Sequence, residues 1–187
     1  MSLIFAPLGP LSEIFYFRDY WHPSYLFSFF GVGIEDLLFS FFIGGIGSVI
    51  YKSFTRKQKV KKEKPNKVLY LGLIGLFLLI MLTFVFKINS IYSSSIVFLI
   101  IGIYFISKRP DLLKNAIGNG ILVALLMLIF YIVFIKIYPN IIIDWWKLEN
   151  ITGLLILKAP VEEVIWGFSL GFLTGPFYYF WKGFKQI

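Results

Sequence analysis

Five apolar stretches, Ile34–Tyr51, Val68–Phe86, Ile91–Ser107, Ile117–Ile135 and Val161–Trp181, decide what this chain can fold into. Each is close to the roughly 17–25 residues that a helix needs to cross a bilayer. A backbone without water must satisfy its own N–H and C=O groups, and a helix does so within one segment. Turn signals at Pro65-Asn66, Asn89-Ser90, Arg109-Pro110-Asp111 and Pro139-Asn140 separate the stretches. The connection Lys87–Ser90 is so short that the second and third helices must be antiparallel neighbours. With 58% apolar residues and mean hydropathy +0.81, the 187 residues hold too little polar surface for a second, water-filling domain. The expectation is a single all-α integral membrane domain, 1–187, of about five transmembrane helices and at most six.

The net charge of +8 suits a nucleic-acid binder only until its distribution is read. Of 18 Lys and Arg residues, 13 fall in 52–67, in 108–114 and after the last helix. Those three segments share one side if the helices alternate, which makes them cytoplasmic by the positive-inside rule. The basic loop 52–67 lacks interleaved aromatics, so no nucleic-acid partner is expected. Its run Arg56–Lys64 suits anionic lipid headgroups instead. No signal peptide is expected, because a basic n-region is missing and Pro7 and Pro10 interrupt the first apolar run. Without cysteine there is no thiolate or iron–sulfur chemistry, and one histidine, His22, makes no metal site. Residues 1–30 and 140–160 are aromatic and polar, and read as interfacial or re-entrant segments on the outer side.

The chain resembles itself. Residues 34–51, IEDLLFSFFIGGIGSVIY, align without gaps on 161–178, VEEVIWGFSLGFLTGPFY. Glu35 meets Glu162, Asp36 meets Glu163, Phe39 meets Trp166 and Gly44 meets Gly171. Upstream, Asp19-Tyr20-Trp21 matches Asp144-Trp145-Trp146 at nearly the same spacing. The copies span 19–51 and 144–178. Both motif helices would run inward, giving a parallel repeat about an axis near the membrane normal.

Each motif helix opens on two acids. Adjacent helical residues point about 100° apart, so one acid of each pair can face the bundle while the other caps the helix or meets headgroups. An acid in a first turn is already explained by the helix dipole. An ionisable group at the membrane boundary, however, usually faces a partner or a cavity. A partly buried carboxyl keeps its proton and can act as a general acid. Phe39 and Trp166, at i+4 from the glutamates, could face a cation with their rings, or could be ordinary aromatic packing in an aromatic-rich chain. Gly167, Gly171 and Gly175, and Gly44 with Ser48, form small-residue ridges suited to close helix packing.

The stretch APVEEVIW resembles the PxE(E/D) motif of the small membrane-embedded lycopene cyclases, the flavin-independent class found as heterodimers or fused chains. DYWHPSYLF and IEDLLFSFFIGGI also look like sequences carrying that domain. The resemblance implies an all-helical carotenoid cyclase, an isomerase that protonates the end of a linear polyene, lets the cation cyclise and removes a proton. It implies no cofactor, and no G-x-G-x-x-G fingerprint is present. Glu162 and Glu163 fall on the motif; Glu35 and Asp36 fall on the other copy, where Gly33 stands in place of the proline. The matched catalytic set is Glu162, Glu163, Glu35 and Asp36, with Trp166, Phe39, Trp145, Trp146 and Trp21 toward the substrate. The implied partners are a lipophilic polyene and the bilayer, with homo- or hetero-oligomers allowed. The competing expectation is a non-catalytic carrier or assembly subunit whose acid pairs hold a cation or proton. An intramembrane glutamate protease fits poorly, since Val164-Ile165-Trp166-Gly167 follow the pair without a basic residue. A prenyltransferase fits poorly because its aspartates stand singly.

Overall fold

Each of the five apolar stretches is helical in the computed structural model, which describes residues 1–29, 32–54, 60–62 and 67–186. The N-terminal segment forms α1 (Ser2–Phe5) and α2 (Leu8–Asp19), followed by a hairpin, β1 (Ser28–Phe29) with β2 (Val32–Gly33). That hairpin leads directly into α3 (Ile34–Phe54). After β3 (Val60–Lys62), α4 (Leu69–Ile80) ends in a π turn over Met81–Val85. α5 (Ser90–Lys108), α6 (Leu113–Ile137) and the short α7 (Ile141–Trp145) follow. A second hairpin, β4 (Leu155–Ile156) with β5 (Ala159–Pro160), leads into α8 (Val161–Lys182), and β6 (Phe184–Gln186) ends the chain's described part.

Among the described residues, length and apolarity mark three helices as able to cross a membrane: α3, α5 and the helical run Pro110–Ile137. That is fewer than the five of the sequence reading, and the two others differ for separate reasons. Leu69–Val85 is apolar but shorter. α8 is long enough at 22 residues but is rich in small and polar side chains, because protein surrounds it. It packs on α6, α5 and α3 and buries residues on every side, including Glu162, Glu163, Ser169 and Thr174. The outer helices show the reverse. Leu69, Leu73 and Phe77 of α4 and Phe42 and Val49 of α3 face outward, a surface that suits acyl chains and not water. The fold is all-helical and membrane-compatible.

The glycine ridge of α8 lies on α6. A Cβ at Gly171 would stand 2.6 Å from the Asn119 carbonyl oxygen, and one at Gly167 would stand 2.8 Å from Met127 Cγ. Asn119, fully enclosed, ties three helices at this level. Its Nδ2 donates to the carbonyls of Gly47 on α3 and Gly171 on α8, and its Oδ1 accepts from the Tyr51 amide at 3.2 Å. Thr174 Oγ1 also donates to the Gly47 carbonyl at 2.9 Å.

Pro10 does not interrupt the first segment. It is the third residue of α2, where the N–H it lacks has no intrahelical partner in any residue. α2 therefore continues to Asp19 and packs on α3 and α5. Asp19 meets the N-terminus of α5, accepting from Ser90 Oγ at 2.5 Å and from the Ser90 amide at 3.2 Å. At the opposite end, β3 pairs with β6 and Arg109 Nη2 donates to the Phe184 carbonyl at 2.8 Å, so the basic segments gather on one face. The lipid-binding reading of Arg56–Lys64 falls largely outside the described residues.

Candidate carboxylate site at the hairpin end of the bundle

Two hairpins deliver the two acid pairs. In each, the residue before the helix pairs across the turn: Gly33 with Ser28, Pro160 with Leu155. Pro160, with φ −55°, holds the chain extended before α8 starts. The segments upstream also meet, because Trp21 and Trp146 form an antiparallel bridge. His22 N donates to the Trp145 carbonyl at 2.7 Å and Lys147 N to the Tyr20 carbonyl at 2.9 Å. The two matched aromatic triplets are thus joined backbone to backbone above the helices.

Both acids of the second pair are enclosed, which corrects the expectation that only one would face the bundle. Glu162 is 1% exposed and Glu163 6%. The loop 147–154 folds over the first, and the bridged triplets cover the second. Glu162 Oε1 accepts three hydrogen bonds, from Tyr92 Oη at 2.7 Å, Thr152 Oγ1 at 2.6 Å and Thr152 N at 3.0 Å. Its Oε2 is buried without any partner among the described residues. Glu163 Oε1 accepts from Tyr20 Oη at 2.7 Å and Trp146 Nε1 at 3.1 Å, and the Tyr131 hydroxyl also bonds the carboxyl. One glutamate is therefore caged, while the other keeps a free oxygen.

The first pair is arranged differently. Asp36 is buried and accepts from Gly33 N at 2.8 Å, with the Tyr25 hydroxyl nearby. Glu35 is half-buried, takes the Leu26 amide at 2.7 Å on Oε1, and leaves Oε2 without a partner. Beside Asp36 stands Glu13 of α2, which sequence reasoning missed. It is 4% exposed and accepts from Trp21 Nε1 at 3.1 Å and Tyr25 Oη at 3.2 Å. Burial, and then the Asp36 charge, push the Glu13 carboxyl up to about 7. Among the described residues no Lys or Arg pairs with any of these carboxyls. The signal for Glu13 was available, since it is the lone charged side chain of residues 1–17.

The aromatic candidates divide. Phe39 and Trp166 stack on each other, with centroids 6.2 Å apart. Trp166 Nε1 donates to Tyr16 Oη at 2.9 Å, and the Tyr16 hydroxyl also bonds Ser94. Tyr16 sits within electrostatic reach of both Glu13 and Glu163. Trp146 serves Glu163 and Trp21 serves Glu13. Trp145 serves neither, and packs instead against Phe134 and Trp146. Tyr92, Thr152 and Tyr131 had no motif to mark them, because their role depends on where loops and neighbouring helices bring them.

An open, wholly apolar groove of about 380 Å³ runs along α8 between α5 and α6. Leu99, Ile121, Leu125, Ile165 and Phe168 are among its walls. Ile165 is three residues beyond Glu162, on the same helix face, and Leu99 is seven residues beyond Tyr92, two turns along α5. On α8 the groove's lining starts at Val164 and Ile165, within one turn of Glu162.

A scan against family models matches residues 89–181 to the lycopene cyclase family. The matched region begins at the α5 cap and ends within α8, and includes Tyr92, Thr152, Glu162 and Glu163. Neither the curated proteins nor the solved structures give a match. A family of enzymes acting on a long apolar polyene agrees with an all-helical fold, an apolar outer surface and enclosed carboxyls. On residues 89–181, the chain belongs to the lycopene cyclase domain family.

Proposed function

We propose that this protein closes a ring at the end of a lycopene-type polyene by proton transfer, with Glu162 as the acid. The observation that carries the reading is the unequal use of the Glu162 oxygens. A protonated carboxyl accepts at its carbonyl oxygen and donates from its hydroxyl. Three donors converge on Oε1 and fix the carboxyl in place, and Oε2 is the oxygen left free to carry the transferable proton. The step breaks the Oε2–H bond and forms a C–H bond at the terminal double bond of the polyene. The resulting cation is attacked by a nearby double bond of the same molecule, which forms the ring C–C bond. A carboxylate then removes a proton from the carbon next to the cation, leaving a ring double bond. One proton is added and one is lost, so the product is an isomer and no electron acceptor is required. Among the described residues, Glu162 and Glu35 are the two carboxyls with a bare buried oxygen, and either can take that proton.

The groove suits the apolar body of the polyene, whose end would lie toward Glu162. Phe39 and Trp166 add ring faces near the reacting end. Segments 19–51 and 144–178 form a parallel repeat in this reading, supported by a hairpin before each acid helix and by contacts between equivalent positions. The basic face lies in the cytoplasm and the acid pairs near the outer side of the membrane.

The test is expression in cells that accumulate lycopene, with pigments resolved by chromatography. Cyclic carotenoids are expected with the wild-type chain and not with Glu162→Gln. Unchanged lycopene beside folded wild-type protein in the membrane would overturn the reading and leave a non-catalytic carrier or assembly subunit.

A further inference from the structure

The oxygen of Glu162 that makes no hydrogen bond is as informative as the one that makes three. A buried carboxyl oxygen without a partner is costly, and such atoms in a native fold call for a reason. Here the donors all fall on one side of the carboxyl. Thr152 takes part twice, through its amide and its hydroxyl. The hydroxyl is itself oriented, because Thr152 Oγ1 accepts the Leu154 amide at 3.3 Å, which leaves its hydrogen for Glu162. Gly153 follows with φ +70°, a conformation in which a side chain would be strained, and it turns the loop back toward the hairpin.

The loop does not rest on Glu162 alone. Two residues before Thr152, Asn150 Nδ2 donates to the Asp19 carbonyl at 3.0 Å, and the Asn150 carbonyl accepts from Asn89 Nδ2 at 3.3 Å. Asn89 is also the N-cap of α5, where its Oδ1 accepts the Ile91 amide at 3.1 Å. Tyr92 stands in the first turn of that same helix. Both donors to Glu162 are therefore fixed by groups other than Glu162, as a preorganised site requires.

We infer that Tyr92 and Thr152 are positioning residues, which grip Glu162 by one oxygen and aim the other at the reacting end of the substrate. The inference rests on the proposed role of Glu162 as the acid. A donor held in line needs no search at the moment of reaction, and small misplacements of a reacting group cost as much as about 10²-fold in rate. Thr152 is exposed and Tyr92 is half-buried, so neither is a core residue whose loss would unfold the chain.

The experiment uses the full chain, purified and returned to lycopene-containing vesicles. Wild type is compared with Thr152→Val, Thr152→Ser, Tyr92→Phe and Glu162→Gln. Thr152→Val and Tyr92→Phe are expected to lower kcat about 10-fold each with KM within about twofold, while Thr152→Ser restores wild-type turnover. Infrared spectra of the same samples provide a readout apart from activity. The carboxyl band lost in Glu162→Gln should shift in Thr152→Val and return to its place in Thr152→Ser. An unshifted band with wild-type kcat in both Thr152→Val and Tyr92→Phe would overturn the positioning role while leaving Glu162 as the acid. Wild-type turnover by Glu162→Gln would overturn the acid assignment, and the positioning role with it.

Discussion

Phe39 and Trp166, each four residues past the glutamate of its acid pair, stack with planes 28° apart and centroids 6.2 Å apart. Two turns further along, Gly47 and Thr174 meet at the equivalent register of the same two helices. α3 and α8 therefore run side by side in one direction. Stacked pairs contribute about 0.5–1.5 kcal/mol beyond their buried area. A double-mutant cycle with Phe39→Leu and Trp166→Leu, read by thermal unfolding in detergent, should return a coupling in that range. Trp166 also meets Phe98 and Tyr16, so its single variant should be the more damaging. A coupling of zero would show two rings that are adjacent without holding the helices together.

The Glu163 cage makes a second prediction. Its carboxyl is engaged by Tyr20, Trp146 and Tyr131, from three different elements. Removing one hydroxyl leaves a buried group short of a donor, which costs about 1–3 kcal/mol. Tyr20→Phe and Tyr131→Phe should each lower unfolding stability by about that amount. Glu163→Gln keeps the shape but, as an amide, meets hydroxyl and indole donors with only one acceptor oxygen, and should also destabilise. If Tyr20→Phe unfolds at the wild-type temperature, the cage does not hold the bridged triplets in place.

Glu13 titrates where the effect on folding can be followed. Its folded value of about 7 lies above the ordinary value of 4.5, first because it is buried and second because Asp36 is near. For a group raised on folding, the protonated form is the one the fold prefers. Its favourable contribution is complete below pH 4.5 and is lost as pH rises through about 7. The full difference is on the order of 3 kcal/mol at most. Wild type should therefore lose stability between those limits and level off above them, while Glu13→Gln should show a flatter profile. Equal slopes for the two proteins would remove Glu13 as the titrating group.

The helices were legible because each apolar stretch could satisfy its backbone in only one way, and their ends agree with the turn signals to a few residues. α3 was expected to start at Ile34 and does, and α8 at Val161. The acid pairs were legible because two carboxyls opening an apolar helix are costly, and costly residues are informative. Glu13 carried the same signal in weaker form, hidden by prolines that suggested a broken segment. Tyr92, Thr152 and Tyr131 carried none. A tyrosine or threonine is unremarkable anywhere in such a chain, and only the closing of the 147–154 loop and the packing of α5 and α6 on α8 assign them to a carboxyl. α8 was legible as a helix, and its many small and polar residues follow from its enclosure by α3, α5 and α6.

The glycines of α8 allow a controlled comparison. A Cβ on Gly171 would meet the Asn119 carbonyl oxygen at 2.6 Å and Gly120 Cα at 2.8 Å, both backbone atoms that cannot swing aside. A Cβ on Gly72, in α4, would meet nothing within 4 Å. Replacing glycine by alanine in a helix is favourable by about 0.5–1 kcal/mol when space allows. Overpacking a tight contact costs about 1–3 kcal/mol. Gly72→Ala should accordingly leave the unfolding temperature unchanged or raise it, whereas Gly171→Ala should lower it. The harm should also reach the acid site, because α8 cannot move off α6 at Gly171 without straining the Asn119 bonds that tie α3 and α8 together. Gly171→Ala should thus reduce cyclisation more than its loss of folded protein explains, measured as product formed per folded molecule. Equal stability of the two alanine variants would mean that α6 and α8 are held apart by something other than these glycines.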